Sequence, residues 1–195
     1  MQNIFASRYF LWVLLCLPAL GMLSGVSQGS MTPHTVLHPS GEFSVRMMIV
    51  AMLASPLVTL FPKVRAFRWL LRRRRYFGVA AFGYALIHTY YYVIDSGSLS
   101  AIMGEALDLP IWTGWAAFLI FLPLALTSTD GAMRAMGARW KQLQRWVYAA
   151  AILSAAHWLF LEWHWAPMLV HFGPLLVLEG ARYLKLRRGG LPVMA

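Results

Sequence analysis

Residues 111–129, IWTGWAAFLIFLPLALTST, carry no charged side chain, and several other runs in the chain resemble them. A helix crosses the hydrocarbon core of a bilayer, about 30 Å thick, with about 20 mostly apolar residues. Lipid offers no hydrogen bonds to the backbone, so such a run must satisfy its own amides and carbonyls, as a helix does. Reading the runs this way gives an all-α integral membrane protein, a six-helix transmembrane bundle with spans near 8–27, 44–62, 76–94, 111–129, 146–163 and 168–185. Only 12% of the 195 residues are charged and 59% are hydrophobic, which is too little charge for a water-soluble domain of this size. The first run has a short charged start and a poor small-x-small cleavage site at Ser24–Val26, so a retained helix is expected rather than a cleaved leader.

The basic residues orient these spans. Lys63, Arg65, Arg68 and Arg72 to Arg75 lie in one loop, Arg134, Arg139, Lys141 and Arg145 in a second, and Arg182, Lys185, Arg187 and Arg188 in the tail. Together with Arg8 they fall on one side of the membrane, leaving only Arg46 near the other. Cytoplasmic loops concentrate Lys and Arg, so both termini are expected in the cytoplasm and loops 28–43, 95–110 and 164–167 outside. This sidedness accounts for the net charge of +10 without nucleic acid as a partner. The same basic loops also suit an anionic ligand, either lipid head groups or a flavin phosphate. Cys16 is the only cysteine, which excludes an intramolecular disulfide, a thiolate metal cluster and Cys-attached heme.

Six histidines remain: His34, His38, His88, His157, His164 and His171. His34 and His38 are expected in the first outer loop, solvated. His88 and His157 are expected inside spans that run in the same direction. Counted from residues 76 and 146, each lies about 17–18 Å along a helix rising 1.5 Å per residue, so the two share one depth. Ionisable side chains inside a bilayer are costly and face the bundle interior. The pair is either a hydrogen-bonded interior pair or a metal centre. With no thiolate or carboxylate beside them, two imidazoles make a poor zinc site. A porphyrin supplies four nitrogens and leaves two axial places for histidine. Small residues near the pair, among them Ala81, Gly83 and Ala85 before His88 and Ala155 and Ala156 before His157, would admit a flat macrocycle.

The runs GEFSVRMMIVAMLASPL, RRRRYFGVAAFGYALIHTYYYVID and WTGWAAFLIFLPLALTSTDGAMRAMGARWKQLQRWVYAAAILSAAHW resemble the ferric-reductase-like transmembrane domain. Within that family they are most similar to the heme-binding membrane subunits of periplasmic protein-methionine-sulfoxide reductase systems. The resemblance covers about residues 36–165 and rests on R-R-x-x-G before a later histidine, on L-x-L-T-S-T, on G-x-R-W and on a helix with Tyr then His. It implies a domain order of first helix and outer loop (1–35), heme-binding core (36–165), and sixth helix with basic tail (166–195). It also implies a b-type cytochrome of the bacterial inner membrane that passes electrons to a periplasmic molybdopterin reductase. The electrons would come from the quinone pool or from a cytoplasmic flavin (FMN) system. His88 and His157 match the family's axial heme positions. Relatives carry a further histidine where this chain has Gln144, so the resemblance implies one heme b here, not two, and makes a quinol the easier donor.

Around that core, Arg46 is expected either to pair with Glu42 or to meet the heme propionates. His164 and His171 are expected at the outer surface, as interfacial histidines without a special role or, as secondary candidates, at a quinone edge or partner-facing site. Two other readings stand beside this one. A ferric-reductase-type subunit would need a nicotinamide-binding partner, and a heme-free membrane scaffold or transporter would have no colour.

Overall fold

The computed structural model describes residues 7–162 and 165–189. The chain forms helices α1 (Arg8–Ser27), α2 (Pro33–Leu60), α3 (Arg65–Asp95), α4 (Leu99–Glu105), α5 (Leu109–Leu126), α6 (Asp130–Met136), α7 (Ala138–Gln144), α8 (Val147–Glu162) and α9 (Trp165–Arg188). Much of what polarity marks as loop is therefore helix. Thr32 starts α2 with a capping box: its hydroxyl accepts from the Thr35 amide, the Thr35 hydroxyl accepts from the Thr32 amide, and Pro33 fills the first turn where no amide is needed. The helix thus begins well before residue 44 and carries His34 and His38. The basic stretch after Val64 likewise continues without a break into α3.

Among the described residues, four helices, α1, α2, α3 and α5, are long and apolar enough to cross a membrane. The described part of α8, 16 residues, rises about 24 Å. The second half of α9 is charged, with Glu179, Arg182, Lys185, Arg187 and Arg188. Leu14, Leu17 and Leu20 on α1 and Leu119 on α5 are exposed. Such contiguous apolar flanks mark a surface that lipid covers.

Packing is most extensive between α2 and α3 and between α5 and α8, and α9 lies along α2. Small buried residues such as Ala81 and Ala150 let the backbones approach. The Ser44 hydroxyl donates to the Ala81 carbonyl at 2.9 Å across the α2–α3 seam. Arg74 reaches the Ser55 hydroxyl of α2 at 3.0 Å. Arg75 pairs with Asp130 at the start of α6 at 2.6 Å, and its hydrogen bond and charge hold that carboxyl below the ordinary carboxylate range. The R-R-x-x-G motif is thus a pair of braces between helices.

A second set of motif residues closes the far end of α5. The Thr127 hydroxyl donates to the Pro123 carbonyl at 2.7 Å and the Ser128 hydroxyl to the Leu124 carbonyl at 2.7 Å. The Trp140 indole N–H donates to the Thr127 carbonyl at 2.9 Å. These side chains add hydrogen bonds to carbonyls of the last turn, where a helix end leaves acceptors to be satisfied; the Pro123 carbonyl also accepts from the Thr127 amide at 3.1 Å. Gly137, between α6 and α7, has φ 53°, a left-handed conformation that favours glycine.

Tyr84 of α3 holds α1. Its hydroxyl donates to the Leu15 carbonyl at 2.7 Å and accepts from the Ala19 amide at 3.2 Å. Tyr84→Phe should lower stability by about 1–3 kcal/mol, the cost of leaving buried polar groups without partners. Thermal unfolding in detergent measures this.

Candidate cofactor site

The two most extensively packed helix pairs each seat one histidine, and they do it the same way. His88 on α3 turns its ring onto α2, where Nδ1 lies 2.9 Å from the Leu37 carbonyl oxygen. His157 on α8 turns onto α5, where Nδ1 lies 2.6 Å from the Pro110 carbonyl oxygen. A carbonyl only accepts, so both Nδ1 atoms carry the proton and both Nε2 atoms keep a free lone pair.

In each case the residue four positions after the carbonyl is glycine. A Cβ on Gly41 would lie 3.1 Å from His88 Nδ1, and one on Gly114 only 2.7 Å from His157 Nδ1 and Cε1. Bare backbone at these two points lets the imidazole press against the facing helix and reach the carbonyl one turn back.

The ring centroids of His88 and His157 are 6.1 Å apart and their planes are turned 89°. Two imidazoles binding one metal from opposite sides through Nε2, with bonds of about 2 Å, stand about 6 Å apart centre to centre. Both rings line a cavity of about 830 Å³ bounded by α2, α3, α4, α5 and α8, with Val45, Ala85, Phe118, Phe121 and Trp158 among its walls. Ligand cavities span about 300–1,000 Å³ and have mostly apolar walls with a few placed polar groups. Among the described residues, no group of three or more His, Cys, Asp or Glu side chains could hold a metal ion. The pair can therefore supply two axial nitrogens to a metal whose other ligands arrive with it.

The cavity opens at the end where α3 and α8 finish and α2 begins. His34 Nδ1 lies 3.0 Å from Asp95, and His38 Nε2 lies 3.6 Å from Glu162. Both histidines line the opening, so the two residues expected in a solvated loop belong to the site's rim. Arg46 pairs with Glu42, and its Nε donates to His171 Nε2 at 3.2 Å. His171 Nδ1 donates to the Pro167 carbonyl at 2.8 Å, and its ring lies 4.9 Å from that of Trp158. Glu42 lines the cavity, whereas Arg46 and His171 stand outside its wall. His164 lies outside the described residues. Of the small residues expected to admit a macrocycle, Ala85 lines the cavity, whereas Ala81 packs in the helix core. Gly41 and Gly114, which no motif singles out, are the ones that touch the rings; an isolated glycine inside an apolar helical run is the signal that points to Gly114, whereas Gly41 sits in a polar stretch.

The family model of the ferric reductase like transmembrane component matches residues 40–155, which include His88 and end two residues before His157. The chain belongs to the ferric reductase-like transmembrane family. It is a multi-pass protein of the bacterial inner membrane. It is 35% identical over 167 residues to the protein-methionine-sulfoxide reductase heme-binding subunit of Azospira oryzae, a match covering 82% of this chain and 70% of that relative. It is 34% identical over 157 residues to the subunit of the same name from Yersinia pseudotuberculosis, covering 77% of this chain and 75% of the relative. No solved structure matches the chain.

Substituting the two glycines separates them. Gly114→Ala should destabilise the fold by about 1–3 kcal/mol through overpacking against His157. At Gly41 the clash is milder, and the gain in helix propensity of about 1 kcal/mol should leave Gly41→Ala near neutral. Thermal unfolding of the two variants side by side gives the comparison.

Proposed function

We propose that this protein is the heme-binding electron-transfer subunit of a protein-methionine-sulfoxide reductase, holding one heme b between His88 and His157. The observation that carries this reading is the seated pair: two imidazoles with ring centres 6.1 Å apart, each held through Nδ1 by a helix carbonyl, lining one largely apolar cavity. A heme bound there supplies one-electron chemistry, its iron alternating between ferric and ferrous states.

The chain's own residues do the rest. The Leu37 and Pro110 carbonyls fix the tautomer and the direction of each imidazole, and accepting the Nδ1 proton makes each Nε2 a better ligand. Gly41 and Gly114 set how far apart the rings stand. Val45, Phe118 and Phe121 keep water from the buried end of the cavity. Gln144 supports a single heme: its amide donates to the Leu124 carbonyl at 3.0 Å and the Thr127 hydroxyl at 3.3 Å, so it braces the end of α5.

We place α8 and α9 in the membrane with the other four spans, giving six in all, with both termini cytoplasmic. The distribution of Lys and Arg supports this orientation. The cavity then opens to the periplasm, toward a soluble reductase carrying molybdopterin. A quinol in the bilayer is the donor favoured over cytoplasmic FMN, because Gln144 leaves no histidine for a relay on the cytoplasmic side. The names of the curated relatives support the heme and the reductase.

The test is an absorption spectrum of the detergent-purified protein, oxidised and reduced, with heme quantified per chain. We expect a low-spin b-type spectrum at about one heme per chain, lost in His88→Ala and in His157→Ala. A colourless protein expressed with ample heme would favour the scaffold or transporter reading instead.

A further inference from the structure

One polar atom in the cavity has no role in the site as described. The hydroxyl oxygen of Tyr92 is buried and has no hydrogen-bond partner among the described residues. Tyr92 lines the cavity and its ring meets that of Trp115 edge-on at 6.2 Å. A buried tyrosine hydroxyl ordinarily finds a partner, and leaving it without one costs about 1–3 kcal/mol.

Its place in the fold suggests what that partner is. Tyr92 follows His88 by four residues on α3, so it lies on the same face, about 6 Å nearer the cavity opening. Trp115 follows Gly114, the glycine that seats His157. Tyr92 therefore stands beside the space between the two rings, on the side of the opening. That end of the cavity is lined by Asp95, Glu105 and Glu162, and no Lys or Arg among the described residues lines the cavity. The rim histidines His34 and His38 already face Asp95 and Glu162, so an anionic group held there takes a neutral donor.

We propose that the bound heme turns its propionate carboxylates toward the opening and that Tyr92 donates its hydroxyl proton to one of them. This rests on the heme reading above. It assigns Tyr92 as a cofactor-binding residue and fixes which way the macrocycle faces. Ser154, 8% exposed and three residues before His157, lines the opposite, buried end and marks the reverse orientation.

The test compares wild type, Tyr92→Phe and Ser154→Ala as purified with heme. Tyr92→Phe keeps the ring and its contact with Trp115 and removes only the hydroxyl. Loss of a hydrogen bond to a charged group should speed heme transfer to apomyoglobin about tenfold. It should also lower the midpoint potential, because a carboxylate without its donor stabilises ferric iron more. The propionate-bending band in resonance Raman should shift while the Soret maximum, set by the histidines, stays. Ser154→Ala should match wild type. Tyr92→Phe indistinguishable from a heme-loaded wild type, or a propionate-band shift in Ser154→Ala instead, would overturn the assignment while leaving the heme reading intact. A wild type without heme would overturn both.

Discussion

The site depends on one repeated contact: an imidazole Nδ1–H donating to a helix carbonyl whose following turn carries a glycine. Leu37 with Gly41 seats His88, and Pro110 with Gly114 seats His157. The hydrogen bond alone would orient a ring, but a Cβ in the way would hold it off. The missing Cβ alone would leave the ring free to rotate. Together they bring two rings from helices in different pairs to 6.1 Å, each with its Nδ1 taken up by a carbonyl. Ser44, Arg74 and Arg75 brace α3 against α2 and α6, and Thr127, Trp140 and Gln144 close α5. These contacts hold the two pairs in register, and with them the distance between the rings.

The two halves of the molecule therefore carry different burdens. On the side of the basic residues, polar side chains satisfy helix ends and join neighbours, and the motifs found there are structural. On the opposite side, α3 and α8 end beside the start of α2, and a cavity opens among histidines and carboxylates. The buried pair lies between, in the part of the bundle with the fewest charges.

Much of this was legible in the sequence. His88 and His157 stand out because two ionisable residues at equal depth in apolar runs need a common explanation, and the structure brings their rings together. The apolar runs locate the cores of the helices correctly. They miss how far α2 and α3 extend, because hydropathy marks where a helix leaves the lipid and not where it ends; Thr32 and Thr35 set the start of α2. For the same reason His34 and His38 read as loop residues, although α2 carries them to the rim. Gly41 and Gly114 were hidden for another reason. Their role depends on which helix faces which, and that pairing is long-range.

Electron paramagnetic resonance of the ferric protein tests the seated pair most directly. Two histidines bound to one iron with their planes near 89° should give a strongly anisotropic low-spin signal, because perpendicular rings leave the iron orbitals nearly degenerate. A high-spin signal, or the rhombic signal of parallel rings, would contradict the ligand pair or the carbonyl and glycine contacts that orient it.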